Sequence, residues 1–226
     1  MLSKHFGVCY NQSNLRKAVK IMDYVISVIL GYLLGCSSMA FYIGRLRKQD
    51  VRSAGSGNLG ASNVTVLFGW GAGVLVALHD IGKAVLAVLL ARWLFPAVPH
   101  GDAAAGVACV LGHIFPFYLK FRGGKGLASY FGMTLALNWK LALLVGIVLV
   151  AVTVITDYIS LAAISTVILV PSYTAVTTHN LVLTGILCIA TAVMLLKHWE
   201  NIVRIAKHQE IGLRSTAKGK NRIDKS

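Results

Sequence analysis

The chain has 226 residues, of which 56% are apolar and only 13% are charged, and its mean hydropathy is +0.70. A soluble domain carries about 25% charged residues, so this composition argues against a soluble enzyme, and its apolar content excludes disorder. The charges are lopsided, 22 Lys and Arg against 8 Asp and Glu for a net +14, and one compact membrane domain fits the length.

In chain order, residues 1–21 carry Lys4, Arg16, Lys17 and Lys20 but neither a full apolar core nor a cleavage signature, which is not the pattern of a signal peptide. They read either as a basic amino-terminal arm at the membrane surface or as a start mis-assigned ahead of Met22. Residues 24–43 form a first span, with Gly31 and Gly35 expected at a close helix contact. Three shorter apolar runs follow, at 64–78, 84–95 and 103–119. From 127 to 196 the only charges are Lys140 and Asp157, and polar breaks at 138–140, 157–160 and 177–180 divide the stretch into four apolar helices. Residues 22–205 therefore read as the membrane domain and 206–226 as a basic cytoplasmic tail.

Fifteen of the 22 basic residues fall in three clusters: Arg45, Arg47, Lys48 and Arg52; Lys120, Arg122 and Lys125; and eight between Lys197 and Lys225. The positive-inside rule puts all three in the cytoplasm. One span before Arg45, two between Arg52 and Lys120, and four between Gly126 and Leu196 satisfy it. The expectation is an all-α, polytopic membrane helix bundle of about seven transmembrane helices, its amino terminus outside, with one middle run a half-helix returning to its own face. The basic residues at 4–20 run against this rule. Cys9, Cys36, Cys109 and Cys188 stand far apart with no CxxC pair, so they read as packing residues rather than a zinc site or disulfide framework.

Three polar motifs interrupt the apolar sequence. The first, DVRSAGSGNLGASNV at 50–64, contains GxGxxG at Gly55, Gly57 and Gly60. A dinucleotide fold needs a strand before it and a parallel sheet around it, and neither is available. What survives is an anion site: glycines let backbone N–H groups approach closely, and Ser56, Asn58, Ser62 and Asn63 add neutral donors. The alternative is a helix-capping turn at the membrane interface.

The second motif is GHIFPFYLKFRGGKG at 112–126. Gly123, Gly124, Lys125 and Gly126 ahead of an apolar helix make a loop that suits phosphate through N–H groups, the helix dipole and the lysine. It is no Walker A loop, since residue 119 is Leu and Gly126 replaces the required Ser or Thr. A purely topological basic loop is the alternative, and His113 alone is more often a packed histidine than a reactive one.

The third motif is KHWENIVRIAKHQE at 197–210. On a continuing helix, Lys197, Asn201 and Arg204 share a face and His198 lies three residues before Asn201; a solvated amphipathic helix on the membrane surface is the alternative. Between the first two motifs, Asp80 and Lys83 sit in apolar sequence, where each ionised group costs about 2.5 to 3.5 kcal/mol on insertion scales. An i,i+3 ion pair is the expected remedy.

In this order, GSGNLGASN, GHIFPFYLKFRGGKG and KHWENIVR resemble the bacterial acyl-phosphate-dependent glycerol-3-phosphate acyltransferase family, over about residues 23–210, with Asp80 and Lys83 also where that family has a similar pair. The resemblance implies an enzyme of the bacterial cytoplasmic membrane, active site facing the cytoplasm, that moves a fatty acyl group from acyl phosphate to glycerol 3-phosphate and gives lysophosphatidic acid for phospholipid synthesis. Ser56, Gly57, Asn58, Gly60 and Asn63 match its first motif; His113, Gly123, Gly124, Lys125 and Gly126 its second; His198, Asn201, Arg204 and Glu210 its third. Of these, His198, Asn201 and Ser56 are expected to be catalytic and the others to bind substrate or phosphate. There are two departures: Val66 replaces a common arginine, for which Arg52 is a candidate substitute, and Cys36 replaces a usual serine.

The expected partners are glycerol 3-phosphate, acyl phosphate and membrane lipid, with no nucleic acid, and no metal or other cofactor is implied. A transporter for a phosphorylated metabolite is the competing class, although the sequence has no internal repeat. An acyl-CoA enzyme is the nearer rival, but the HxxxxD pair follows none of the seven histidines.

Overall fold

The computed structural model describes residues 12–210 and 212, and within them ten α-helices and two short 3-10 turns, with no strand. The first helices are α1 (Gln12–Cys36) and α2 (Met39–Leu46), parted at Ser37 and Ser38. Ser38 caps α2, its hydroxyl accepting the Phe41 N–H. After the first motif come α3 (Ala61–Phe68), α4 (Trp70–Leu94) and α5 (Gly101–Ile114). After the second come α6 (Leu127–Leu137), α7 (Trp139–Thr156), α8 (Ile159–Thr178), α9 (Leu181–Lys197) and α10 (Trp199–Ala206).

Five segments are long and apolar enough to cross a membrane: Gln12–Leu46, Trp70–Leu94, Gly101–Leu119, Trp139–Thr156 and Ile159–Thr178. The pair α9 and α10, bent by 47°, makes a sixth. The short apolar α6, at 11 residues, completes the bundle of about seven. The breaks after 137, 156 and 178 lie where the sequence puts them, because Asn138 and Asn180 cap the following helices and Asp157 and His179 adopt positive φ.

One division differs. The runs 64–78 and 84–95 are not separate helices split at Asp80 and Lys83, because α4 passes straight through both residues. The break falls instead at Gly69, whose φ of 87° ends α3 and starts α4. A polar pair within an apolar run signals a break only when unpartnered, and here it is paired. The eight-residue α3 folds back on α4, its Thr65 filling the space where Gly73 lacks a side chain. Between Arg52 and Lys120 the helices able to cross are therefore α4 and α5.

The expected close contact is present: a Cβ on Gly31 or Gly35 would strike the backbone of Ala105 or Cys109, so α1 and α5 pack backbone to backbone. Residues 12–21 extend α1 with no break at Met22. Cys36 and Cys109 are buried, but Cys188 lies exposed on α9 rather than packed, and Cys9 lies outside the described residues. Residues 1–11, 211 and 213–226, including most of the basic tail, also lie outside them.

The four tryptophans, Trp70, Trp93, Trp139 and Trp199, are all exposed. Each stands at or beside a helix end, the position of an interfacial aromatic belt. Trp70 and Trp93 lie about 35 Å apart along α4 at 1.5 Å per residue, close to the thickness of a bilayer core. The inner core is built around Tyr130, Met133, Ile114, Val88, Val167 and Met194. A smaller cluster of Ala40, Val51, Leu59, Val64, Val76 and Leu119 joins the first motif to the second.

Candidate active site

The first motif is a loop knotted by one side chain. Asn63, buried at the start of α3, accepts the Ser56 N–H at 2.8 Å and donates to Val51 O at 3.0 Å and Ala54 O at 3.2 Å. The Asn63 amide is thus engaged by its own loop. Gly55 and Gly57 have positive φ, and a Cβ on Gly55 would collide with Asn63 Oδ1. Ser56 and Gly57 stand exposed at the tip, with Asn58 and Gly60 half-buried below. Arg52, the candidate substitute for a missing cation, is clasped by Asp50 through Nε at 3.0 Å and a second nitrogen at 2.9 Å. These hydrogen bonds also hold the Asp50 carboxyl below the usual carboxylate range. Val66 is exposed on α3.

In the second motif, the Gly123 N–H donates to Ile114 O at 3.0 Å and the Gly124 N–H to His113 O at 3.1 Å. These two donors are occupied, which corrects the expectation of free loop amides at those positions. The glycines serve close approach instead, since a Cβ on Gly123 would strike His113 O and one on Gly124 would strike the His113 ring. Gly126, at φ 91°, turns the chain into α6 with no side-chain cap, so the first-turn N–H groups and Lys125 head the helix together.

His113 itself is buried. Its Nδ1 lies 3.0 Å from Lys83 Nζ and 3.3 Å from Asp80 Oδ1, and the predicted Asp80–Lys83 pair closes at 2.8 Å. Lys83 also donates to Ser37 O at 2.7 Å. His79, unremarked in the sequence, adds its Nδ1 at 3.5 Å from Asp80 Oδ1 and its Nε2 at 3.0 Å from the Ser37 hydroxyl.

The third motif does not continue the helix. The chain bends at His198, and the Met194 carbonyl accepts both the His198 N–H and its imidazole Nδ1–H, the latter at 2.8 Å. A carbonyl can only accept, so Nδ1 carries a proton and a neutral ring presents its lone pair at Nε2. The bend separates Lys197 from the face it was expected to share; its Nζ lies over the Phe115 ring, 4.7 Å from the centroid. Asn201 and Arg204 turn instead to Glu210. The Asn201 amide donates to Glu210 Oε1 at 2.6 Å, the Ser160 hydroxyl donates to the same oxygen at 2.9 Å, and Arg204 Nε donates to Oε2 at 2.7 Å.

The Glu210 oxygens, expected among the substrate- or phosphate-binding groups, accept from Asn201, Ser160 and Arg204. Ser160 gave no sequence signal because its partner is fifty residues away. Lys125 Nζ donates to Asn201 Oδ1, joining the second motif to the third. Burial holds the Lys125 ammonium below the ordinary lysine value and the Arg204 guanidinium pushes the same way, while Glu210 and Glu200 oppose them.

The glycerol-3-phosphate acyltransferase family model matches residues 25–208. This chain belongs to that family. It is 41% identical over 190 residues to a glycerol-3-phosphate acyltransferase of Coxiella burnetii, covering 84% of this chain and 97% of the relative. It is 40% identical over 184 residues to that of Myxococcus xanthus, covering 81% and 96%. Among solved structures it resembles the crystal structure of PlsY (YgiH), an integral membrane glycerol 3-phosphate acyltransferase, in its glycerol 3-phosphate form, with a TM-score of 0.81, 31% identity and coverage of 86% and 98%. The lysophosphatidic acid form of that protein gives a TM-score of 0.76 at 32% identity, covering 84% and 94%. The chain is thus a multi-pass membrane protein of an acyltransferase family.

Proposed function

We propose that this acyltransferase takes its acyl group from an acyl phosphate and delivers it to the sn-1 hydroxyl of glycerol 3-phosphate, releasing phosphate and lysophosphatidic acid. The observation that carries the reading is electrostatic. Two cations, Lys125 through Asn201 and Arg204 directly, converge on one buried carboxylate, Glu210, leaving an excess positive charge beside His198. Such an excess at a helix entrance suits small, highly charged phosphate groups.

An acyl phosphate is a mixed anhydride with a good leaving group, so positioning and charge stabilisation suffice without a covalent enzyme intermediate. Lys125, Gly126 and the opening turn of α6 hold the acyl phosphate head, with the acyl chain along the apolar bundle. Ser56, Gly57, Asn58 and Gly60, with Arg204, receive glycerol 3-phosphate. His198 Nε2 accepts the hydroxyl proton as the oxygen attacks the acyl carbonyl carbon. The carbon–oxygen bond to phosphate then breaks, and phosphate leaves with the bonding pair. Asn63, Gly123, Gly124 and Glu210 fix the shape of this site.

The same reading puts the three basic clusters and the active site at the cytoplasmic face of a bacterial inner membrane. The test supplies acyl phosphate or acyl-CoA with labelled glycerol 3-phosphate to detergent-solubilised protein and follows lysophosphatidic acid. Acyl phosphate is expected to be used, acyl-CoA not, and inorganic phosphate should compete with acyl phosphate. Efficient use of acyl-CoA overturns the donor assignment, and no product from either donor overturns the reading.

A further inference from the structure

The Asp80–Lys83 pair lies in the middle of α4, yet it ends on the second motif. A lysine ammonium has three hydrogens and no lone pair. Three polar atoms surround Lys83 Nζ: Ser37 O at 2.7 Å, Asp80 Oδ1 at 2.8 Å and His113 Nδ1 at 3.0 Å. An unprotonated imidazole nitrogen facing an ammonium at this distance accepts from it, whereas a protonated one would turn to Asp80 Oδ1 at 3.3 Å. With Nδ1 accepting from Lys83, the proton of His113 lies on Nε2, the edge that faces Gly124. The main chain of the same residue takes the Gly124 N–H, and Ile114 takes that of Gly123. One residue thus fixes the loop twice, through its carbonyl and through a ring edge seated in the gap left by the missing Cβ of Gly124.

We infer that Lys83, backed by Asp80, is a positioning residue for the acyl-phosphate loop: it locks His113 with Nδ1 as acceptor and Nε2–H toward Gly124, and so sets the shape of residues 123–126. Without the ammonium, His113 Nδ1 gains a proton and donates to Asp80 Oδ1, 3.3 Å away. That places the lone pair rather than the N–H against the loop. His79, a further titratable neighbour of Asp80, is tied to the Ser37 hydroxyl, and the buried Cys109 thiol also lies within electrostatic reach of the pair. The structural part of this inference stands on geometry alone; its kinetic consequence rests on the acyl phosphate reading above.

The test has two arms. In nitrogen-15 histidine NMR of the solubilised protein, with His113 identified by its loss in His113→Gln, the wild type is expected to show an unprotonated Nδ1 and a protonated Nε2. Lys83→Met should reverse the two, and Lys83→Arg, which keeps a donor, should restore the wild-type pattern. Should a lone buried Asp80 prevent folding, the charge-neutral variant Asp80→Asn/Lys83→Met replaces it and should still lose the wild-type pattern. In the kinetic arm, Lys83→Met is expected to raise KM for acyl phosphate about tenfold, the loss of one hydrogen bond to a charged group. KM for glycerol 3-phosphate should change less, and Lys83→Arg should recover the acyl phosphate KM. A wild-type His113 protonated on Nδ1 overturns the inference, as does a Lys83 replacement that changes neither tautomer nor KM. If acyl phosphate proves not to be a substrate, the donor reading falls while the tautomer result still decides the structural part.

Discussion

Two buried charge clusters flank the second motif, and they differ in electrical balance. The Asp80 cluster is closed: one carboxylate and one ammonium lie a helical turn apart on α4, and Lys83 Nζ has Asp80 Oδ1, Ser37 O and His113 Nδ1 within 3.0 Å. The Glu210 cluster is open. One buried carboxylate faces two cations, Lys125 and Arg204, and the other nearby acid, Glu200, is largely exposed at 3.8 Å from Arg204, where solvent weakens it. A closed cluster stabilises a fold within lipid, whereas an open one keeps charge in reserve for a ligand. Two histidines mirror this contrast: His113 Nδ1 faces Lys83 Nζ at 3.0 Å, while His198 Nδ1 donates to Met194 O.

The largest expected effect tests closure. Asp80→Ala strands the Lys83 ammonium in the bundle and should destabilise the protein by about 3–5 kcal/mol, the range for breaking a buried pair, while removing both charges in Asp80→Ala/Lys83→Met should recover most of it. Chemical unfolding of the solubilised protein measures both variants. Equal losses in the single and double variants would show that the pair is not electrically self-contained.

Lys125→Met tests openness. It should lower kcat/KM for acyl phosphate at least about tenfold, equivalent to about 1.4 kcal/mol of lost charge-assisted contact. It should not lower the thermal unfolding midpoint, because burial already disfavours this ammonium. A fall in stability comparable to that of Asp80→Ala would make the two clusters alike and remove the argument for a ligand at the second.

The pH dependence sharpens the same point. The folded-state pKa of Lys125 lies below the ordinary lysine value, so in the window between the two the unfolded chain binds more protons and the contribution of Lys125 to stability rises with pH. Phosphate binding moves the opposite way: the cation is lost as pH climbs through the depressed value, and log kcat/KM for acyl phosphate should fall there. Lys125→Arg should move that alkaline limb upward, and an unmoved limb would assign it to another group.

The smallest effect concerns the first motif. Val66 is exposed on α3, and Arg52 is held by Asp50. Val66→Arg should therefore lower KM for glycerol 3-phosphate by about two- to fivefold, the scale of an exposed charge pair. No change in KM would separate α3 from the acceptor site.

What the sequence determined by itself is local in origin. Span positions follow from apolar runs, and the breaks at Asn138, Asp157 and Asn180 follow from capping and positive φ. The Gly31 and Gly35 contact follows from small residues one turn apart, and the Asp80–Lys83 pair from i,i+3 spacing. Each of these depends on neighbours within a few residues. The tertiary structure alone decided which polar atoms are already occupied. Asn63 binds its own loop, Gly123 and Gly124 donate to the end of α5, and Glu210 is consumed by Ser160, Asn201 and Arg204. Likewise, whether Asp80 and Lys83 interrupt a helix depended on partners contributed by α5 and by the chain after α1, at His113 and Ser37. Hydrogen-bond capacity is filled by whatever the fold brings within about 3 Å, and partners six to seventy-six residues away leave no periodic trace in the chain.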